Sequence, residues 1–516
     1  MGTLDWVVIG IFFLALIGII VWVVKQKQND SADYFLGGRD ATWLAIGASI
    51  FASNIGSEHL IGLAGAGASS GMAMAHWEIQ GWMILILGWV FVPFYSRSMV
   101  YTMPEFLERR YNPQSRTILS VISLISYVLT KVAVTVYAGG LVFQQVFGIK
   151  ELWGIDFFWI AAIGLVVLTA LYTIFGGMKS VLYTSVLQTP ILLLGSLIIL
   201  VLGFKELGGW DEMMSICSAV TVNEYGDTMT QLIRDNNDPN FPWLGALVGS
   251  AIIGFWYWCT DQFIVQRVLS GKNEKEARRG TIFGAYLKLL PVFLFLIPGM
   301  IAFALHQKYI GAGGEGFLPL LANGTANADA AFPTLVAKLL PAGVKGLVVC
   351  GILAALMSSL ASLFNSSAML FTIDFYKRFK PETPEKKLVG IGQIATVVIV
   401  ILGILWIPIM RSVGDVLYTY LQDVQSVLAP GIAAAFLLGI CWKRTSAKGG
   451  MWGLIAGMII GLTRLGAKVY YSNTAITDSS MFKYLFYDLN WLFFCGWMFL
   501  FCIIVVIAVS LMTEAP

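Results

Sequence analysis

The side chains with most chemistry to offer in this chain stand where chemistry is costly. Ser53, Asn54, Ser57, Glu58 and His59, then Glu78 about twenty residues on, and Lys288 in the second half, are set in stretches otherwise apolar enough to cross a bilayer. An ionisable group in hydrocarbon costs about 2.5–3.5 kcal/mol on insertion scales, so such groups persist where they face partners or water inside a helix bundle. The default reading of this polar seam is a solute pathway.

Two kinds of ligand fit these residues. The run Phe51-Ala52-Ser53-Asn54-Ile55-Gly56-Ser57 places small and hydrogen-bonding residues in mid-span, where an unwound backbone is tolerated only if it is buried or lines a cavity. Freed carbonyls at Ala52 and Ile55 suit a hard cation. In Ala355-Leu356-Met357-Ser358-Ser359, the carbonyl of Ala355 and the hydroxyls of Ser358 and Ser359 share one helical face. Together these make five neutral oxygens, a cage for a monovalent ion, since Ca²⁺ and Mg²⁺ sites normally recruit carboxylates. Serines in membrane helices also bond back to their own turn, so the serine pair alone defines nothing. Glu78 and Lys288 read either as an ion pair or as two groups that hydrogen-bond a polyhydroxylated solute, helped by Asn54, His59 and Gln422. Such a site needs several donors and acceptors and an aromatic wall, and Trp77, Tyr257, Trp258 and Tyr418 are available. A lone histidine on a membrane helix is usually a packing residue; His59 gains weight from Asn54 and Glu58 beside it.

The elements that must position these groups follow from composition. Hydrophobic residues make up 58% of the 516 and charged residues 12%, against roughly 25% charged in a soluble domain. Mean hydropathy is +0.77. Thirteen helical spans can be drawn, at roughly 4–24, 42–66, 72–96, 117–146, 155–175, 180–204, 240–262, 280–306, 334–372, 388–409, 413–441, 449–469 and 487–511. The first, with no Lys or Arg before it, reads as a retained helix rather than a signal peptide. Loops after the odd-numbered spans hold the Lys and Arg, among them Arg109, Arg110 and Arg116, Arg278 and Arg279, and Lys386 and Lys387; the alternate loops are poor in both. The positive-inside rule then puts the N-terminus outside and the C-terminus in the cytoplasm. Span 7 repeats the interruption of span 2 in Gly254-Phe255-Trp256-Tyr257-Trp258-Cys259-Thr260-Asp261-Gln262. Broken helices at matching positions of two halves mark the binding site of an inverted-repeat transporter. The chain divides accordingly into an N-terminal helix and linker (1–41), a first repeat (42–204), an outer loop (205–239), a second repeat (240–441) and C-terminal helices (442–516).

Other classes fit poorly. The net charge of +3 is dispersed, with no basic tract for nucleic acid. No Walker loop, GxSxG or HExxH is present, and three histidines offer no metal spacing, so neither an enzyme nor an ATP-driven pump is indicated. The six cysteines lack CxxC spacing and read as buried free thiols.

Longer stretches carry a family resemblance. FASNIGSEHLIGLAGAG (Phe51 to Gly67), GWVFVPFY and TMPEF within Trp82 to Phe106, Tyr172 to Gln188, WYWCTDQFIVQ (Trp256 to Gln266), YLKLLPVFLFLIPG (Tyr286 to Gly299), Leu353 to Tyr376 and APGIAAAFLLGICWKR (Ala429 to Arg444) resemble the sodium/solute symporter family, in its sodium/glucose cotransporter branch. The resemblance implies an all-α polytopic membrane protein with a LeuT-like five-plus-five inverted repeat, one helix before it and further helices after it. It implies Na⁺-driven sugar uptake by alternating access across the plasma (inner) membrane. Carried over by motif, Na⁺ would be held by Ala52, Ile55, Ala355, Ser358 and Ser359. The sugar would be held by Asn54, His59, Glu78, Lys288 and Gln422, with Tyr257 as inner gate, Trp77 and Tyr418 on the outer side, and Trp258 in the aromatic wall.

Three residues depart from the family pattern. Ser185 stands where many relatives have an Asp linked to a second sodium site, which implies one Na⁺ per sugar. Gly254 stands where some sugar-transporting relatives carry a polar side chain. Glu58 replaces a glycine and adds a charge with no assigned role. The alternative keeps the fold and changes the solute to myo-inositol, a carboxylate or an amino acid; a membrane sensor or channel is the reading from a different class.

Overall fold

Apolar runs of bilayer length can satisfy their backbone in hydrocarbon only as helices or closed barrels, and the computed structural model of the chain is helical through these runs. It describes residues 1–26, 30–56, 58–321, 324–413, 417–472 and 480–515, leaving aside the side chains of 129–130, 409–413, 417–423 and 472. Large apolar side chains such as Leu14, Leu405 and Trp497 point outward, as a lipid-facing surface requires. The segment Val344–Phe379 is the axis of the bundle: 89% of its most apolar window is buried, against 22% for the peripheral Thr3–Lys25.

Ten helices among the described residues are long and apolar enough to cross a membrane, against the thirteen spans expected. The difference lies in where breaks fall. Phe157–Leu207 runs for 51 residues, about 77 Å at 1.5 Å per residue, more than twice the ~30 Å of hydrocarbon. Gly177 turns it at φ 53°, ψ −149°, and a Cβ there would meet Tyr34 O at 2.4 Å. Glu58–Ser98 likewise joins the outer half of span 2 to span 3 through Gly71, at φ 73°, where a Cβ would lie 2.0 Å from Met229 O. The Met72 amide donates to that carbonyl at 2.8 Å, fastening the 205–239 segment over the turn. Pro113–Ser126 and Ala133–Phe147, the two parts of span 4, flank a π-wound stretch at Tyr127–Val132.

Both interruptions expected in mid-span are present. Trp43–Asn54 ends in extended backbone at Ile55 (φ −76°, ψ 100°), and helix resumes with π winding at Glu58–Leu63 and continues in Ala64–Ser70. Trp243–Gly254 passes into π winding at Phe255–Thr260, breaks at Asp261 (φ −75°, ψ 127°), and resumes as Gln262–Leu269. Asp261 caps the resumed helix by accepting the Phe263 amide at 3.1 Å.

Span 8 grips both halves of span 2 through glycines, the usual device for close approach where lipid gives no hydrophobic drive. On the inner half, a Cβ on Gly280 would lie 2.8 Å from Trp43 O, and one on Gly47 2.8 Å from Gly280 O. On the outer half, a Cβ on Gly299 would lie 2.0 Å from Ala64 O, and one on Gly67 2.2 Å from Leu296 O. Between these contacts span 8 is itself irregular, passing from Glu274–Leu287 through Lys288 to Val292–Leu296. The break in span 2 and Lys288 are thus held level. The six cysteines are free; five are buried and Cys441 is exposed.

Candidate functional site

Each charged group in the seam is delivered by an irregular piece of helix. Glu78 lies in the short helix Ala75–Ile79, just before a 3₁₀ turn at Gln80–Trp82. His59 opens the resumed helix of span 2, and Lys288 caps the C-terminus of Glu274–Leu287. Gly81 leaves room for the lysine stem, since a Cβ there would come within 2.6 Å of Lys288 Cγ. The three groups meet in a buried triad: Lys288 Nζ is 2.6 Å from Glu78 Oε2 and 2.7 Å from His59 Nε2, and His59 Nε2 is 3.3 Å from Glu78 Oε1. The ion pair of the sequence reading is therefore present, with His59 joined to it.

Asn54, His59, Trp77, Glu78, Tyr257, Trp258 and Lys288 line one cavity, joined by Glu58, Gln80, Ile253 and Gln425. Its free volume is about 20 Å³, enough for about one water. Four buried polar atoms on its wall have no hydrogen-bond partner: Asn54 Oδ1, His59 Nδ1, Gln80 Oε1 and Trp258 Nε1. Buried polar groups are nearly always paired, and each orphan costs about 1–3 kcal/mol. Four around one void leave unused hydrogen-bonding capacity there, open to water or another polar ligand. Trp258 meets Tyr257 edge-on at 4.9 Å and lies 5.7 Å beneath Lys288 Nζ; Trp77 packs against Trp491 of the last helix.

The floor of the cavity is latched. Asn54 Nδ2 donates to the Tyr257 hydroxyl at 3.0 Å, tying the two broken helices together. Beneath Tyr257, Lys131 Nζ is paired with Asp261 Oδ2 at 2.7 Å and stands 4.6 Å from the tyrosine ring. The Tyr127 hydroxyl donates to the other carboxylate oxygen.

The second cluster lies where span 9 crosses the break of span 2. Ser359 Oγ donates to Ser53 O at 2.6 Å, and a Cβ on Gly56 would lie 2.8 Å from that hydroxyl. Ser53 Oγ is 2.7 Å from Ser362 Oγ and accepts from Nε of the fully buried Arg267 at 3.0 Å. Ser358 Oγ is 3.3 Å from Ser185 Oγ. Ala52, Ile55 and Ala355 are buried around the same crossing. Glu58 borders both this cavity and a smaller void that Ser359 and Lys131 also line.

Gln80, Gln425 and the Lys131–Asp261 latch were not singled out from the sequence. Gln425 had a signal, lying one turn beyond Gln422 on the same helical face. The side chains of Tyr418 and Gln422 lie outside the described residues.

Broken helices at the centre of a bundle, a polar void between them and an oxygen-rich crossing beside it define a secondary transporter of the membrane, not an enzyme. The chain belongs to the Sodium:solute symporter family, whose model matches residues 34–457. It is 37% identical over 526 residues to the sodium/myo-inositol cotransporter 2 of Homo sapiens, covering 99% of this chain and 77% of that one. It is 37% identical over 529 residues to the sodium/glucose cotransporter 1 of Ovis aries, covering 99% and 79%. Among solved structures it resembles a Na⁺-coupled sialic acid symporter in a substrate-bound outward-open state, with a TM-score of 0.79, 21% identity, and 100% and 99% of the two chains covered. MhsT in complex with L-phenylalanine matches with a TM-score of 0.55 at 13% identity, covering 90% and 99%. The fold is the LeuT-like one, and Na⁺ is the coupling ion of the family.

Proposed function

We propose that this protein couples the entry of one Na⁺ to the uptake of one polyhydroxylated solute, a monosaccharide of the glucose or galactose type. The observation that carries the reading is the set of four orphaned polar atoms around the Glu78–Lys288–His59 triad. Donors, acceptors, an anion and a cation within one small void match a neutral ligand with hydroxyls on every side, which can donate to Glu78 and accept from Lys288 and Trp258. An anionic solute would pair with Lys288 only by displacing Glu78, so carboxylates fit less well. Myo-inositol, a ring of hydroxyls, meets the same chemistry, and the similarity to sodium/myo-inositol cotransporters favours it as the second reading.

A void of about 20 Å³ cannot hold a sugar. Solute binding therefore requires the triad to part and the Asn54–Tyr257 latch to adjust. Na⁺ at Ala52, Ile55, Ala355, Ser358 and Ser359 would turn the Ser359 hydroxyl from donor to Ser53 O into a cation ligand. That frees a backbone carbonyl next to Asn54, so the ion acts on the residue that holds Tyr257. Each ligand shifts the conformational equilibrium by its differential affinity for the two states, and the coupling is reciprocal. The repeats at 42–204 and 240–441 would rock about this site. With the basic loops in the cytoplasm, the N-terminus would lie outside and the C-terminus inside. Uptake of D-glucose, D-galactose, myo-inositol and pyruvate into proteoliposomes, with and without an inward Na⁺ gradient, tests the reading. Na⁺-dependent accumulation of a polyol supports it, and accumulation of pyruvate alone overturns it.

A further inference from the structure

One orphan of the cavity wall stands out for what faces it. Gln80 is 7% exposed, lines the void, and its Oε1 has no partner. Its helix tightens to 3₁₀ winding at Gln80–Trp82, which turns a residue two positions after Glu78 toward the same void. The opposite wall is shaped to receive it. A Cβ on Gly254, at the end of Trp243–Gly254, would lie 2.6 Å from Gln80 Oε1 and 3.4 Å from Gln80 Cβ, with Met83 Cγ at 3.3 Å. Gly254 has ordinary helical neighbours and no positive φ, so its smallness is explained by the carboxamide opposite and not by backbone geometry. An amide held in a void, with an orphaned atom and a glycine kept bare to admit it, is a ligand contact in waiting.

We infer that Gln80 is a specificity-determining residue, whose carboxamide hydrogen-bonds one hydroxyl of the solute and is held in place by the absence of a side chain at Gly254. The inference rests on the polyol reading above. It assigns to span 3 a second solute contact besides Glu78, and to span 7 a permissive rather than a direct role at position 254.

The two positions give a test that separates contact from fold. Gln80→Leu removes the amide while keeping the volume. Gly254→Ala leaves Gln80 in place and pushes its flexible end out of the void, a displacement that costs little in folding. Each variant, reconstituted in proteoliposomes, should raise the solute KM roughly 3- to 10-fold, the range for losing one neutral hydrogen bond. The Na⁺ half-saturation at saturating solute should stay unchanged. In the double variant the two effects should not add, because both act through one carboxamide. Across a panel of monodeoxy analogues of the transported polyol, the parent should reject one position that both variants tolerate. Unchanged KM in Gln80→Leu with an unaltered analogue pattern overturns the inference while leaving the polyol reading intact, as do additive effects in the double variant. If the parent protein accumulates no polyol, the polyol reading fails first and this inference with it.

Discussion

Ser359 carries the cation assignment. Its hydroxyl reaches the backbone of span 2 at Ser53 O, the carbonyl between Ala52 and Ile55. Ser359→Ala should raise the Na⁺ concentration for half-maximal uptake about tenfold or more, the scale of losing a polar contact to a charged group, while solute KM at saturating Na⁺ is largely kept. An unchanged sodium curve would remove Ser359 from the site. Glu78 and Lys288 raise a different question, since a buried pair can serve the fold alone. Removing one member of such a pair costs about 3–5 kcal/mol, whereas replacing both by apolar groups is often neutral. Glu78→Ala should therefore melt early, and Glu78→Ala with Lys288→Met should recover most of the stability. If the pair also binds solute, the double variant stays inactive; recovered transport with recovered stability would reduce the pair to packing.

At the scale of elements, the broken helices depend on what holds their halves. Gly299 and Gly67 bring span 8 against the outer half of span 2 at backbone distance. Gly299→Ala sets a Cβ against Ala64 O, an obstacle that cannot rotate away, and should cost about 1–3 kcal/mol by overpacking. The melting temperature in detergent should fall, with transport lost to a displaced break; a variant as stable and active as the parent would show that the contact is loose. The breaks were legible in the sequence because Ser53-Asn54 and Thr260-Asp261 are polar pairs inside apolar runs, and a short local window holds all the information. Bilayer-length apolar runs likewise announced the long helices, but not short ones such as Met103–Arg110 and Trp210–Ser218, which lie in expected loops. Gln80 was not legible, because a single glutamine near a helix end has no partner in its own window; its meaning comes from Gly254, 174 positions away. The Lys131–Asp261 latch was hidden for the same reason, with its members 130 residues apart. The drawn spans 155–175 and 180–204 meet at Gly177, whose positive φ turns the chain between two helical halves of one 51-residue run.

For the whole molecule, the polar void and the oxygen-rich crossing meet at one short break: Asn54 lines the larger void and also, with Ser53 and Ser359, the smaller one beside the crossing. In the proposed mechanism coupling needs no long-range path, because both ligands would act on the same few residues. Ser185 beside Ser358 is neutral, while Glu58 borders the void that Ser359 lines. The proposed stoichiometry of one Na⁺ per solute rests on the serine at position 185. The most direct measurement is paired uptake of ²²Na⁺ and tritiated glucose, galactose or myo-inositol into the same proteoliposomes under an inward sodium gradient. The account predicts gradient-dependent accumulation of a polyol with one sodium entering per solute molecule. Two sodium ions per solute, or polyol entry indifferent to the sodium gradient, would contradict it.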